Sequence, residues 1–252
     1  MKHILSPGSV DLLAQLAWSR VLLAFDFDGT LAPIVADRDR AVMRSRTRAL
    51  LTAACELYPC AVISGRAQRD VATRLGPIGV KYVVGNHGIE PGSDISGFER
   101  EIAIVRPLLE QALAPHPGLD IEDKRYSLAV HYRTSRRKRE ARRAIDAAVG
   151  ALPRPMRVIP GKLVANIVPI GARNKGDILL ELRDQEPADV ALYVGDDVTD
   201  EDVFALDQPG RLLTMRIGTT TMSAARFFLR DQREIDSLLD WMVKLRKDRR
   251  PK

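Results

Sequence analysis

Four short apolar runs along the chain each stop at a cluster of small and polar residues. The runs occupy residues 21–25, 61–63, 82–84 and 191–194. Continuous runs of this length, rich in valine, isoleucine and leucine, are typical of strands buried on both faces of a parallel sheet. Segments with helical spacing lie between them, at 47–57 and 174–182. The alternation of strand and helix predicts a doubly wound α/β fold of the Rossmann-like type.

The polar clusters that follow the four runs contain side chains able to bind phosphate or a metal ion. They begin at Asp26, Ser64, Gly85 and Gly195. In a doubly wound parallel sheet, ligands bind outside the carboxyl ends of the strands. We therefore expect the four clusters to meet along one rim of the sheet.

The stretch 97–170 shows a different pattern, in which a helix is followed by two extended runs and the order then repeats. This pattern predicts a small α+β unit inserted between the third and fourth core strands. Prolines and glycines flank the unit, at Pro91-Gly92 and at Pro169 and Gly171. Its helical stripes span 98–113 and 135–149, and its extended runs are 119–124, 127–133, 156–159 and 163–168.

The pattern thus divides the chain into two domains. Residues 1–96 and 171–252 are expected to form the core domain, and residues 97–170 an inserted domain, called the insert below. In the second part of the core, we expect strands at 211–217 and 227–230 and a closing helix at 234–245.

Composition sets only broad limits on function. The 252 residues carry a formal net charge of +6, which favours anions in general, nucleic acid and phosphorylated metabolites alike. No apolar run approaches the roughly 20 residues of a membrane helix, and Pro7 and Asp11 interrupt the N-terminal stretch. We therefore expect a cytoplasmic protein. Cys55 and Cys60 do not suffice for a zinc site, and we expect Cys60 to be a buried thiol.

The first acidic cluster is the segment Asp26-Phe27-Asp28-Gly29-Thr30, directly after the first predicted core strand. Residues i and i+2 of an extended chain point the same way, so Asp26 and Asp28 are expected on one side. Adjacent carboxylates repel each other unless a cation or a shared proton offsets the repulsion, and magnesium prefers hard oxygen ligands. An acidic turn is the simpler interpretation, but the position after a buried strand favours a magnesium site.

The second acidic cluster runs from Gly195 to Asp200. A loop with a helix capped by Thr199 or Asp200 would explain it without a ligand. A calcium-binding EF-hand does not fit, because the loop lacks the glycine that such a site requires. Since the cluster is predicted to share the rim with Asp26, we favour Mg²⁺ binding. The expected ligands, with the direct role of Asp197 or Asp200 left open, are Asp26, Asp28, Asp196, Asp197 and Asp200.

Lys175 and Ser64 are the candidate phosphate ligands. A lysine near the start of a helix is usually a solvated surface residue, and only the other clusters give Lys175 a chemical role. With both acidic clusters on one rim, Asp26 would attack phosphorus and form an acyl-phosphate. Asp28 would give a proton to the leaving oxygen and then take one from the attacking water.

Together these motifs resemble those of the haloacid-dehalogenase superfamily and, more narrowly, those of the trehalose-6-phosphate phosphatase family. The resemblance extends from about residue 21 to residue 204, and its segments are 26–34, 64–66, 85–90, 126–133, 161–162 and 193–201. It implies magnesium-dependent hydrolysis of trehalose 6-phosphate through an aspartyl-phosphate at Asp26. It also implies a catalytic role for Thr30 in the same loop as Asp26 and Asp28.

The resemblance further implies that the insert is a mobile cap that closes over the rim. Contacts to the sugar and the phosphate are then expected from Arg66, Asn86, His87, Glu90, Lys124, His131, Arg133, Lys162 and Asn166. Structural roles are the alternative for several of them: His87 could brace a turn, and Glu90 could pair with an arginine. His131 and Arg133 could form an exposed strand face.

Two alternatives to this function follow from particular residues. Many members of the family carry a glutamate where this chain has Asn166, and a basic residue where Val168 stands, so another sugar phosphate is the second candidate substrate. The basic run 136–139 raises a third hypothesis, a non-catalytic nucleic-acid-binding protein. A solvated helix face explains this run better, so we expect a small-molecule substrate and neither nucleic acid nor a membrane as partner. The oligomeric state stays open, and a monomer is compatible with the sequence.

Overall fold

The chain folds into two β-sheets with helices packed on them. The computed structural model describes residues 1–35, 37–92, 95–206 and 208–248. The strands are β1 (Lys2–His3), β2 (Val21–Phe25), β3 (Cys60–Ile63), β4 (Tyr82–Val84), β5 (Asp120–Asp123), β6 (Leu128–His131), β7 (Met156–Gly161), β8 (Val164–Pro169), β9 (Val190–Gly195), β10 (Leu212–Ile217) and β11 (Phe227–Leu229). The α-helices are α1 (Val10–Trp18), α2 (Ser45–Cys55), α3 (Gln68–Leu75), α4 (Ile95–Leu113), α5 (Lys138–Gly150), α6 (Lys175–Gln185), α7 (Glu201–Phe204) and α8 (Glu234–Asp248).

The larger sheet is parallel throughout its described strands, in the order β1-β11-β10-β9-β2-β3-β4. Strands β9, β2, β3 and β4, which correspond to the four apolar runs, are therefore neighbours. Their register aligns the carboxyl ends, because Phe25 pairs with Val62 on one side and with Val194 on the other. The doubly wound α/β fold is confirmed, and the ends of these four strands share one rim.

Helices cover both faces of this sheet, which explains why β2 is apolar at every position. Leu23 packs in a core that includes residues of α1, α2, α3 and α8. Its neighbours Leu22 and Ala24 point the other way and pack with Leu179 of α6 and Phe204 of α7. A strand enclosed on both sides needs apolar residues at successive positions instead of alternate ones.

The insert contains the smaller sheet, which is antiparallel with the strand order β5-β6-β8-β7. Helices α4 and α5 cover one face, where Leu128 and Val130 of β6 pack against Val105 and Ile145. The side chains of alternate residues point to the opposite face. That second face includes His131 and, on the neighbouring strands, polar side chains that line a cleft against the rim of the larger sheet.

Several elements were not predicted from the sequence, and each is short or weakly patterned. Strand β1 has two residues at the sheet edge, α7 is a single turn, and α3 has only Val71 and Leu75 as buried residues. Helix α1 was also missed. In the insert, α4 begins at Ile95, two residues before the predicted boundary, and the buried stripe of α5 ends at Val149.

Two smaller expectations can be compared with the structure. Both cysteines are free thiols and Cys60 is buried, as predicted. In the part of the chain that the structure describes, no helix combines the length and the hydropathy needed to cross a membrane. On the basic surface of the insert, Arg137 pairs with Glu140 and Arg142 with Asp146, each within one turn of chain.

Candidate active site

The centre of the rim is a buried ion-pair cluster around Lys175. Asp26 follows β2 directly, and Lys175 is the first residue of α6. The side chain of Lys175 is 1% exposed, and its Nζ donates hydrogen bonds of 2.7 Å to Oδ1 of Asp26 and of Asp200. Asn174 caps α6, because its Oδ1 accepts from the backbone N–H of Asp177 at 2.9 Å. This cap fixes the start of the helix and therefore the position of Lys175.

The carboxylate of Asp200 is fully hydrogen-bonded by the protein. Its Oδ1 accepts from Lys175 and also from the hydroxyl of Tyr193, at 2.7 Å. Its Oδ2 accepts from the backbone N–H groups of Asp196 at 2.8 Å and of Asp197 at 2.9 Å. Asp200 therefore shapes the loop that carries Asp196 and Asp197, and it is the second carboxylate that holds Lys175.

Asp196 has an oxygen with no partner in the described part of the chain. Its Oδ1 is buried and makes no hydrogen bond there, although buried carboxylate oxygens are normally paired. Ligand oxygens of Asp26, Asp196 and Asp200 lie within 4.8 Å of one another. Gly29, with φ of +85°, packs so tightly against the Asp196 carboxylate that a Cβ at this position would overlap it. The three carboxylates are thus so close together that the ionisation of each affects the ionisation of the others.

The electrostatics of this group favour a cation. Burial raises the pKa of Asp26 to about 7. The charge of Lys175 lowers this pKa and the charge of Asp200 raises it, but burial is the largest effect. Burial likewise raises the pKa of Asp196 to about 9, and the charges of Asp26 and Asp200 add to the shift. A divalent ion would reverse both effects, since it stabilises the ionised form of every carboxylate that it contacts. The unpartnered Oδ1 of Asp196 and these raised pKa values fit a bound Mg²⁺.

Asp28 lies beside this group but is held by Arg66. The guanidinium of Arg66 donates from Nε to Oδ2 of Asp28 at 2.6 Å and from Nη2 to Oδ1 at 2.8 Å. Asp70 accepts from Nη1 of the same arginine at 2.8 Å. This two-point contact fixes the orientation of the Asp28 carboxyl plane. Arg66, predicted to contact substrate, is thus in contact with Asp28 in this structure.

Two hydroxyl groups complete the rim. Ser64 follows β3 and is 1% exposed, and its Oγ accepts from the backbone N–H of Arg66 at 3.2 Å, which leaves its proton available. The Oγ1 of Thr30 is buried and has no hydrogen-bond partner among the described residues. Both are suited to donate to phosphate oxygens.

The segment after β4 contributes Asn86, His87 and Glu90. The amide nitrogen of Asn86 donates to Glu90 at 2.7 Å and to the carbonyl oxygen of Lys124 at 3.1 Å. Its Oδ1 accepts from the hydroxyl of Ser127 at 2.6 Å. Asn86 therefore joins the core to the insert. Glu90 accepts from this amide and from the backbone N–H of Gln68 at 2.8 Å, so it supports the loop.

His87 is buried beside this network without forming part of it. Its backbone has φ of 58°, and its ring lies against Gly65, where a Cβ would come within 2.5 Å of the ring. Neither ring nitrogen has a hydrogen-bond partner in the described chain. Burial, followed by the nearby charges of Lys124 and Lys175, holds the pKa of His87 well below its usual value. His87 is therefore a neutral imidazole at the wall of the cleft.

The insert presents a row of polar side chains to the rim. Lys124 donates to the carbonyl oxygen of Gly65 at 2.9 Å and to Oδ1 of Asn166 at 3.4 Å. His131 contacts Glu122, with 2.9 Å between Nε2 and Oε2. Arg133 and Lys162 are exposed, and both line the cleft with Asn166.

The cleft between the rim and the insert has a volume of about 220 Å³. Of the predicted site residues, those outside its lining are Thr30, Asn86, Glu90 and Asp200. Sequence reasoning missed Arg38, Glu122, Tyr193 and Thr199. Glu122 could have been found, because it lies two residues before Lys124 in the predicted extended run 119–124, and that spacing places both on one side. Arg38 lies in a loop with no periodic pattern and gave no such signal.

Fold and site together define a doubly wound α/β protein with a buried acidic cluster at the carboxyl rim of its sheet. The chain belongs to the trehalose-phosphatase family, whose model matches residues 24–233. It is 36% identical over 199 residues to a trehalose-phosphate phosphatase of Mycobacterium tuberculosis, an alignment that covers 73% of this chain and 51% of that protein. The corresponding protein of Mycobacterium ulcerans is 36% identical over 210 residues, with 78% and 54% covered. The chain thus spans about half the length of these relatives.

Solved structures show the same fold. The C-terminal domain of C. albicans trehalose-6-phosphate phosphatase superposes with a TM-score of 0.77 at 22% identity, with 93% of this chain and 96% of that domain covered. An Aspergillus fumigatus trehalose-6-phosphate phosphatase gives a TM-score of 0.64 at 25% identity, with 97% and 99% covered. The likeness therefore includes the insert as well as the core.

Proposed function

We propose that this chain hydrolyses trehalose 6-phosphate to trehalose and phosphate, as a member of the haloacid-dehalogenase superfamily. The observation that carries the proposal is the buried contact of Lys175 with Asp26 beside the unpartnered oxygen of Asp196. This contact supports a reaction at one point of the rim, with Asp26 as the nucleophile, Lys175 as the phosphate ligand and Asp196 as part of a cation site. Membership of the trehalose-phosphatase family and the names of the relatives support the choice of substrate.

We assign Asp26 and Asp196 as the side chains that would hold Mg²⁺; Asp28 and Asp197, also predicted as ligands, line the same cleft. Asp200, also predicted as a ligand, is assigned instead to holding Lys175, because the protein already hydrogen-bonds both of its oxygens. When bound, Mg²⁺ would supply positive charge to the phosphoryl oxygens and would keep Asp26 ionised at neutral pH.

The proposed reaction has two steps. In the first, a carboxylate oxygen of Asp26 attacks phosphorus, the ester P–O bond breaks, and Asp28 gives its proton to the leaving sugar oxygen. In the second, Asp28 takes a proton from water, which attacks the acyl-phosphate, and phosphate and Asp26 are released. Lys175, with Ser64 and Thr30, would neutralise and orient the phosphoryl group during both steps.

We propose that the insert acts as a cap and that its polar face selects the sugar, with residues 1–96 and 171–252 as the core domain. Substrate hydroxyls would meet groups that line both sides of the cleft: Arg66, His87, Lys124, His131, Arg133, Lys162 and Asn166. Asn86 and Glu90, also predicted as substrate contacts, are assigned instead to supporting the loop after β4. The neutral ring of His87 suits this role, because each unpartnered nitrogen can bond a hydroxyl. A cytoplasmic location remains our prediction.

A related phosphatase for another sugar phosphate is the second candidate. Asn166 favours it, because this amide faces the cleft at a position where many family members carry a glutamate. An amide can bond sugar hydroxyls, but it does not provide the charged acceptor that a carboxylate would.

A panel of phosphate esters tests the proposal. With Mg²⁺, the purified protein should release phosphate from trehalose 6-phosphate with a kcat/KM at least about 100-fold above that for glucose 6-phosphate or sucrose 6-phosphate. Asp26→Asn is the matched control and should release none. A higher kcat/KM for a different ester of the panel would contradict the proposed substrate but not the proposed phosphatase reaction. No phosphate release from any ester would contradict the proposed reaction itself.

A further inference from the structure

Arg38 of the core contacts two side chains of the insert at the mouth of the cleft. It lies on the 3-10 helix Arg38–Arg40, in the connection between β2 and α2. Its Nη1 is 2.5 Å from Oε2 of Glu122 and 2.5 Å from Nε2 of His131. Strands β5 and β6 thus present a carboxylate and an imidazole to one guanidinium, across the boundary between core and insert.

The main chain of Arg38 contacts the catalytic rim. Its carbonyl oxygen accepts from Nη2 of Arg66 at 2.7 Å. That same nitrogen donates to Asp28, and the Nε of Arg66 donates to the second oxygen of Asp28. The side chain of Arg66 is only 11% exposed, so it has little freedom to find other partners. A continuous chain of contacts therefore runs from Glu122 through Arg38 and Arg66 to Asp28.

The charges of the groups facing Arg38 agree with an ion pair at this point. Burial raises the pKa of Glu122, but the hydrogen bond with His131 and the charges of Lys124 and Arg38 together bring it below its usual value. Glu122 is therefore an anion that faces three basic side chains from core and insert. In its contact with Arg38, a carboxylate of the insert meets a guanidinium of the core directly.

We propose that Arg38 is a positioning residue that couples the insert to Asp28. With the insert over the rim, Glu122 holds the guanidinium of Arg38 with His131 beside it, the 3-10 turn stays in place, and the carbonyl oxygen of Arg38 keeps Arg66 aligned with the Asp28 carboxyl. Without that anchor the turn loosens, and the group that protonates the leaving oxygen loses its orientation. Displacements of about 1 Å at such a group lower rates by up to about 10²-fold. This inference rests on the acid–base role proposed for Asp28.

Two aryl esters that lack a sugar test the inference separately from the substrate assignment. Phenyl phosphate has a poor leaving group that needs a proton, whereas 4-nitrophenyl phosphate has a good one that does not. We expect Arg38→Ala to lower kcat/KM for phenyl phosphate about tenfold and for 4-nitrophenyl phosphate less than about twofold. Arg38→Lys, which keeps the charge beside Glu122, should recover most of the loss.

Variants of Glu122, the partner of Arg38, and of Arg40, the matched control, complete the experiment. Glu122→Ala should reproduce the selective loss, and the double variant should be no more than about twofold worse than Arg38→Ala. Arg40→Ala, which removes the same charge from an exposed position on the same turn, should leave both rates within about twofold. Equal losses on the two esters, additive losses in the double variant, or faster turnover without Arg38 would overturn the inference. Rejection of trehalose 6-phosphate with both esters hydrolysed would overturn only the proposed substrate.

Discussion

The ammonium group of Lys175 lies 2.7 Å from Oδ1 of Asp26, and both side chains are almost completely buried. Burial lowers the pKa of Lys175, but the charges of Asp200 and Asp26 outweigh it and keep that pKa well above the usual value. A permanently positive group therefore sits against the proposed nucleophile. It offsets part of the repulsion among the carboxylates, and in the proposed reaction it would meet the incoming phosphate.

Lys175→Met should be strongly destabilising as well as inactive. The change leaves Asp26 and Asp200 without their buried cation, and removal of one partner of such a pair typically costs about 3–5 kcal/mol. The free energy of unfolding, measured by urea denaturation, should fall by that order. Lys162→Met, at an exposed position on the same cleft, is the control and should change stability by less than about 0.5 kcal/mol. Similar stabilities for the two variants would argue against the buried ion-pair cluster.

Gly29→Ala should abolish activity and weaken the fold. The added Cβ would overlap the Asp196 carboxylate, and the residue would also have to keep φ of +85°. Gly171→Ala is the matched control, because Gly171 has φ of +91° but open space around it, so that variant carries the backbone strain alone. Melting temperature and turnover rate should both be lower for Gly29→Ala than for Gly171→Ala. The size of these differences measures the effect of the contact with Asp196. Equal behaviour would show that this contact has no role.

Removal of divalent cations should make stability depend on pH in a defined direction. Asp26 and Asp196 have folded-state pKa values of about 7 and about 9, both above the value of 3.8 usual for Asp. The folded protein therefore binds more protons than the unfolded chain in this range, and stability must fall as the pH rises from about 5 to 9. In EDTA the melting temperature should drop across that range, and Mg²⁺ should reduce the drop.

Asp196→Asn provides the control for that experiment. The variant removes one of the two titrating groups, so in EDTA its melting temperature should fall less between pH 5 and pH 9 than that of the unaltered chain. A melting temperature that rises with pH in EDTA, or that is insensitive to Mg²⁺ at pH 9, would contradict the account of the acidic cluster.

The rim was predictable from the sequence because parallel sheets gather the carboxyl ends of their strands. The positions of Asp26, Ser64 and Gly195 after three buried runs were sufficient to place them together. The helix–strand–strand repeat of the insert was equally clear, since its apolar stripes follow helical and extended periods. Strand β1 was missed, because two residues at a sheet edge carry no detectable period.

Contacts between the insert and the core could not be predicted in the same way. The pairing of Arg38 with Glu122 joins a loop to a strand 84 positions later along the chain, and it depends on how two separate sheets pack. The hydrogen bonds of Asp200 could not be predicted from the sequence either. Its place in an acidic cluster suggests a metal ligand, but only the structure shows that the hydrogen bonds of Lys175, Tyr193 and two backbone N–H groups occupy its oxygens.

The central claim is that Asp26 becomes phosphorylated, and chemical trapping of the acyl-phosphate tests it most directly. In Asp28→Asn, 4-nitrophenyl phosphate should still phosphorylate the enzyme, because nitrophenolate leaves without a proton, while hydrolysis of the intermediate should stall for lack of the base. Acid quenching, borohydride reduction and mass spectrometry should then find residue 26 converted to homoserine in proportion to the nitrophenol released. A stoichiometric burst of nitrophenol with Asp26 unmodified, or with the label on Ser64 or His87, would contradict the account.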